Sequence, residues 1–417
     1  MMRTARLYIG LALAWWLAGL VAGGPAYAAD PAFHAWLETV WPDARALGVS
    51  RSTFDEAIRG LEPDLSLPDL AVSGRPEAAA PEQPEFVRTP AEYLSEPTVG
   101  RLAAKGRVLL ERYRPTLAAI EQEFGVPPTM LLAIWGRETD FGSYRLPKNA
   151  IVVLATQAYL GRRKDEFRQE FLLALKILQE GVVKLADMRS SWAGAMGLTQ
   201  FLPSEYYKYA VDFDHDGRPD IWNSVPDALA SAAKQLVDKG WQSGSGWAYE
   251  VHPPNDLDCT LADYDSTMPV AEWLKRGYAP AYGRNIGRAD LSEAASLFLP
   301  AGTYGPAFLT LKNFYVLKAY NFSDLYALFV GHVSERIGDP HPFETAWGKV
   351  VQLRTKDLEE LQRRLTLRGF YRDKIDGKAG QKTRLALGAY QKANGLNLDC
   401  WPTAAVLDQM RRSAGNN

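Results

Sequence analysis

Cysteine, histidine and net charge are all scarce in this chain, and each shortage removes a class of chemistry. Two cysteines, Cys259 and Cys400, and five histidines occur in 417 residues. No Cys-x-x-Cys or His-x-x-x-His spacing is present, so a catalytic zinc and a Cys-His nucleophile pair are poorly supported. The 47 basic and 49 acidic side chains leave a net charge of −2, too little for a global field that would gather nucleic acid or an anionic membrane. There is no phosphate-cradling glycine loop and no Gly-x-Ser-x-Gly elbow. Beyond the N-terminus no segment reaches the roughly 20 apolar residues of a membrane span. No cysteine precedes Cys259, so a lipid-anchored form of the usual bacterial kind is not expected.

What is present begins with an export signal. Arg3 and Arg6 precede an apolar run from Leu7 to Val21 and then Ala26-Tyr27-Ala28, which reads as a signal peptide over residues 1–28, cut before Ala29. The mature chain is expected in the periplasm or an equivalent exported space, without a membrane span. In such an oxidising compartment Cys259 and Cys400 could pair; two buried thiols are the alternative. A hydrophobic fraction of 47% with 11% aromatics supports large packed cores in two or three domains.

The stretch that organises the chain is Pro127 to Gly142. A proline pair suits the first turn of a helix and Gly142 suits its stop, so a helix is predicted from about Pro128 to Asp140. At helical spacing Glu138 shares its face with Leu131, Ile134, Trp135 and Phe141. A carboxylate against such a face is poorly solvated when ionised, so its pKa should rise toward about 6 to 7, the range of tuned catalytic acids. The plainer alternative is a helix-end residue that reaches solvent or pairs with Arg137.

The rest reads as mainly helical. Apolar spacing predicts two short helices between Phe33 and Leu61, then helices over Ser95 to Phe124, Asn149 to Tyr159, Lys164 to Ala186, Pro226 to Val237 and Phe322 to Ile337. Short apolar runs at Ser296 to Leu299 and Ala307 to Leu311 look like strands. The loop Ser191 to Phe201 is rich in glycine and alanine, suited to lining a cleft or simply to a tight connection. Trp241, Trp247 and Tyr249 could stack on sugars or fill a core.

Asp212 to Asp220 matches the first nine positions of a calcium loop. Asp212, Asp214 and Asp216 fall at positions 1, 3 and 5, Gly217 at 6, the Arg218 carbonyl at 7 and Asp220 at 9. Position 12 is Asn223 where a bidentate Glu belongs. Either Asp227 closes the site from the next helix or the site is weak; a solvated acidic turn is the alternative. After a linker from about Gly338 to Thr355, Leu358, Leu361, Leu365, Leu385, Leu387 and Tyr390 outline a small three-helix module. With other chemistry unsupported, acid-base work by carboxylate in an exported, aromatic-rich protein fits glycoside cleavage.

Trp135 to Gly142, Ala193 to Ser204, Val211 to Trp222, Gln83-Pro84-Glu85-Phe86 and Tyr320-Asn321-Phe322-Ser323 together resemble the lytic murein transglycosylase B family, in the family's motif order. The resemblance implies a lysozyme-like α+β catalytic domain over residues 29–345 with an EF-hand-like loop. It implies Glu138 as single acid and base, Ser191 and Gln200 in the cleft, and Tyr320, Asn321 and Tyr326 around the sugar. It also implies a structural calcium on Asp212, Asp214, Asp216, Arg218 and Asp227, with no cofactor for catalysis. Trp192 stands where the family often has another aromatic. Residues 352–412 resemble a three-helix peptidoglycan-binding domain through Leu361-Gln362-Arg363-Arg364-Leu365 and Ile375-Asp376-Gly377, departing at Asp399-Cys400-Trp401. Glycan strands of peptidoglycan are the implied partner, with cell-wall synthesis proteins as further candidates. Because no second carboxylate motif accompanies Glu138, the family's substrate-assisted route to a 1,6-anhydro product is expected, rather than one carboxylate on each side of the bond.

Overall fold

The structure is a computed structural model that describes residues 30–71 and 84–413; the export signal of residues 1–28 lies outside them. Among the described residues, no helix is long and apolar enough to cross a membrane.

Two helical cores meet at the centre. The first is built by helices Glu96–Arg112, Arg114–Phe124, Pro128–Thr139 and Asp324–Gly338, which bury Leu102, Leu117, Ile134, Trp135 and Phe329 together. The second gathers Pro31–Ala46, Arg51–Ile58, Ala150–Leu160, Lys164–Gln179 and Pro203–Tyr209 around Phe33, Leu37, Phe54, Leu154 and Phe171. Tyr320 packs against both.

The helix Pro128–Thr139 has proline in its first turn and residues Met130 to Gly136 are all buried. It stops because Asp140 and Phe141 enter the left-handed region, with φ of 49° and 57°. That turn folds the Phe141 ring back over Gly136, where a Cβ would come within 2.6 Å of the ring, so glycine is required there. Helix Lys164–Gln179 ends seven residues before the expected Ala186, just ahead of Gly181 at φ 70°.

A five-stranded antiparallel sheet forms a third layer, its strands ordered Met268–Pro269, Ala294–Phe298, Ala307–Thr310, Ala248–His252 and Ala279–Pro280. Two of its strands lie close to the expected apolar runs. Trp241 and Trp247 are buried in the first helical core, so they fill the interior rather than face a sugar. A helix over Lys312–Asn321, absent from the sequence reading, precedes Asp324–Gly338.

The C-terminal module comprises helices Thr355–Leu367, Gln381–Ala393 and Ala404–Ser413, packed around Leu358, Leu361, Leu365, Leu387 and Tyr390. It is docked on the sheet layer. Cys259 and Cys400 form a disulfide across 141 residues, which resolves the alternative of free thiols. Around it, Gln381 donates to the Ala262 carbonyl, the Thr303 amide donates to the Asp399 carbonyl, and Lys392 pairs with Asp258. Gly302, at φ 59°, lets the two parts touch: a Cβ there would lie 2.1 Å from the Asp399 carbonyl oxygen.

Candidate active site

Glu138 stands on the last turn of its helix, at the border of the two helical cores. Its Oε1 accepts a hydrogen bond from the Tyr326 hydroxyl at 2.5 Å. The residue is only partly buried, yet the surrounding protein shields its side chain enough that burial pushes its pKa up to about 7. The Tyr326 hydrogen bond and the nearby Arg137 charge work the other way, while Glu85 and Glu205 add negative potential that favours the proton. Arg137 itself turns to the Tyr93 hydroxyl, at 2.8 Å, and lies over the Tyr93 and Phe329 rings. It therefore adds charge nearby without forming the ion pair that the plainer sequence reading proposed for Glu138.

Two contacts tie the remaining parts to this helix. Thr139, next to Glu138, donates to the Leu198 carbonyl at 2.8 Å, and Tyr320 donates to the Thr199 carbonyl at 2.7 Å. The loop from Ser191 to Phe201 is thereby held between the glutamate helix and the corner that joins Lys312–Asn321 to Asp324–Gly338. At that corner Tyr320 and Tyr326 stack with ring centres 6.1 Å apart, and burial holds both phenols well above their usual pKa. Tyr326 thus stays a donor to Glu138 across the working range of pH.

Within the loop, Ser191 Oγ accepts from the amides of Ala193 and Ala195, which leaves its own proton to donate. Gln200, at φ 60°, anchors its amide nitrogen on the Gly197 carbonyl, which leaves its carbonyl oxygen as the end to offer a ligand. Asn321 is exposed at the end of its helix. The fold thus brings Tyr326 directly to Glu138 and stacks Tyr320 behind it, with Ser191 and Gln200 on the tethered loop and Asn321 at the surface of the corner.

Sequence reasoning missed the neighbouring carboxylates. Glu205 caps its own helix through the Leu202 amide and accepts from Gln235, so both its oxygens are occupied and it acts on Glu138 only through its field. Glu85 acts electrostatically from the short helix Pro84–Val87. A charge felt through space leaves no local pattern in the chain.

The acidic loop brings Asp212, Asp214 and Asp227 together, with one oxygen from each within 4.8 Å of the others. Asp227 sits in the first turn of helix Val225–Asp238 and accepts from the amides of Phe213, Asp214 and Asp220, so it closes the loop from the following helix. Burial and the Asp214 charge raise its pKa. Asp216 stands apart from this group: it accepts from the Arg218 amide and faces the Arg218 guanidinium at 3.8 Å. Three carboxylates converging without a basic partner in the group make an all-oxygen set that fits a hard divalent cation.

The layered helical fold with one shielded glutamate, backed by a tyrosine and facing a tethered loop, defines a lysozyme-like class. A family profile described as transglycosylase SLT domain matches residues 32–335, and one described as putative peptidoglycan binding domain matches 354–410. The chain belongs to the transglycosylase SLT family. It is similar to SltB3 from Pseudomonas aeruginosa, whose crystal structures hold NAG-NAM-pentapeptide and NAG-anhNAM-pentapeptide. The identity is 39%, over 91% of this chain and 99% of that one, with a TM-score of 0.82. Membrane-bound lytic murein transglycosylase B of Escherichia coli is 30% identical over 233 residues, 56% of this chain; the chain spans 63% of that relative's length. The Escherichia coli lytic transglycosylase Slt35 in complex with calcium is 28% identical, over 60% of this chain and 77% of that one, with a TM-score of 0.50.

Proposed function

We propose that this protein is a peptidoglycan lytic transglycosylase that cleaves the β-1,4 bond between N-acetylmuramic acid and N-acetylglucosamine and releases 1,6-anhydro-N-acetylmuramic acid. The observation that carries the reading is Glu138: shielded, near pKa 7 and bonded to Tyr326, with the carboxylates of Glu85 and Glu205 acting on it through their charge. Such a group is protonated in an appreciable fraction near neutrality and can take the proton back, as one residue serving as both acid and base must.

The steps balance without water. Glu138 gives its proton to the glycosidic oxygen as the C1–O bond breaks, and the substrate's 2-acetamido group supports the electron-poor C1. The C6 hydroxyl of the same sugar then attacks C1, and its proton passes to Glu138, which is restored. An intramolecular nucleophile of this kind can act at an effective concentration up to about 10⁵ M or more. Tyr326 holds the Glu138 carboxyl in place, and Ser191 and Gln200 supply hydrogen bonds to the acetamido group.

The two SltB3 structures with muropeptides and the peptidoglycan-binding profile support wall glycan as substrate. With the export signal read from the sequence, they support action in the periplasm. The acidic loop is assigned a structural calcium held by Asp212, Asp214 and Asp227, a reading supported by the calcium-bound Slt35 neighbour. The test is to digest purified wall and weigh the products. Anhydro-muropeptides, lighter by one water than hydrolysed ones, are expected; reducing ends in their place would establish a water-using muramidase.

A further inference from the structure

An open hollow of about 240 Å³ lies where the C-terminal module meets the catalytic domain, away from Glu138. The catalytic domain lines it with Tyr264, Lys318, Phe322 and Asp324, and the module with Asp376, Gln381 and Lys382. It is smaller than the roughly 300–1,000 Å³ that encloses a whole small ligand, a size suited to one end of a longer molecule.

Two features of its lining are left unsatisfied by the fold itself. Phe322 is 83% exposed and takes φ of 56° at the C-cap of helix Lys312–Asn321, a position that favours glycine or asparagine. A bulky side chain there is strained, and its exposed ring gains no packing in return. Gln381 is 5% exposed and donates to the Ala262 carbonyl, but its buried Oε1 lacks a hydrogen-bond partner. An orphaned acceptor of this kind calls for an N–H donor.

The charges point to a zwitterion. Lys318 pairs with Asp324 at 2.8 Å and Lys382 with Asp373 at 2.6 Å, each ammonium keeping donors beyond its one carboxylate. Asp376 uses Oδ1 for its bonds with Gln362 and the Lys378 amide. Cations, carboxylates and an unpaired amide oxygen around one small space complement the end of a peptide, with its carboxylate, ammonium and amide groups; a neutral sugar would leave the charges unused.

The hollow also lies within reach of the chemistry. Asp324 and Tyr326 share the first turn of helix Asp324–Gly338: the one lines the hollow, the other holds Glu138. A peptide carried by the sugar at Glu138 spans roughly 3.5 Å per residue, so a few residues cover this corner. We infer that the seam between the catalytic domain and the C-terminal module is a subsite for the free end of the stem peptide on the muramoyl residue, with Phe322 as its apolar lip and Gln381, Lys382 and Asp376 as its polar contacts. The inference rests on the transglycosylase reading above.

The test compares kcat/KM on wall glycan that carries its peptides with that on glycan stripped of them by an amidase, for the full-length protein and for Phe322→Asn and Lys382→Ala. The native protein is expected to prefer peptide-bearing strands. That preference should fall about tenfold in Lys382→Ala, the effect of one charge-assisted hydrogen bond, and several-fold in Phe322→Asn. The melting temperature of Phe322→Asn should be equal or higher, because asparagine suits the left-handed cap. An unchanged preference in both variants, with anhydro product still formed, overturns the subsite alone. Absence of anhydro product from the native protein on either substrate overturns the underlying reading, and the subsite with it.

Discussion

Glu138 is a case where burial works against the ordinary behaviour of a carboxylate, and the sign has consequences for stability as well as rate. Its folded pKa of about 7 lies above the ordinary 4.5, so between those values the folded chain binds more protons than the unfolded one. Stability therefore falls as pH rises through this window, by up to about 3 kcal/mol for a shift of this size. Glu138→Gln removes the penalty. The variant should lose anhydro-product release while its melting temperature, relative to the native protein, gains more at pH 8 than at pH 5. A constant difference across pH would count against a shielded glutamate. Tyr326 has the opposite influence, since its hydrogen bond favours the ionised form. In Tyr326→Phe the alkaline limb of the rate profile should move to higher pH, together with a lower kcat; a limb that stays put would show that Tyr326 does not touch the working carboxylate.

At the scale of elements, what the sequence could reveal depended on how local each determinant was. The glutamate helix was readable because its proline start and its apolar residues lie within one stretch, and the structure ends it one residue from the expected stop. The hydrogen bond from Tyr326 spans 188 residues and has no local signature, so resemblance alone brought that residue to the site. Helix Lys312–Asn321 was missed because its buried residues, Asn313, Phe314, Val316 and Leu317, cluster in its first turns and make no long stripe. The aromatic stretch from Trp241 to Tyr249 could not be resolved by composition, and burial assigned both tryptophans to the core. In the acidic loop, the carboxylate spacing was legible, whereas the convergence of Asp227 on Asp212 and Asp214 depends on how the following helix returns to the loop. Calcium should raise the melting temperature, and a hundredfold excess over Kd would add about 2.7 kcal/mol. Asp214→Ala should abolish the rise; no shift of the native protein at millimolar calcium would contradict the assignment.

Across the whole molecule, the C-terminal module is held as a wall of the catalytic domain. The disulfide between Cys259 and Cys400 closes 141 residues, and closing so long a loop in the unfolded chain can contribute up to about 5 kcal/mol. The double variant Cys259→Ser, Cys400→Ser should melt at a lower temperature while still forming product, because Gln381, Lys392 and the Asp399 carbonyl continue to bind the module to the sheet layer. Full loss of product in a folded double variant would mean that the staple itself shapes the cleft. This arrangement also explains the departure of the module from its family pattern at Asp399-Cys400-Trp401: Asp399 accepts from the Tyr304 hydroxyl and Cys400 is bonded to Cys259, both in the main body, while Trp401 donates to the Val351 carbonyl of the linker.

The central claim is that one glutamate and the sugar's own C6 hydroxyl complete the cleavage, with no water entering the product. Digestion of purified wall in heavy-oxygen water tests it directly. The account predicts anhydro-muramoyl ends that carry no label; label at C1 of reducing muramoyl ends as the main product would contradict it.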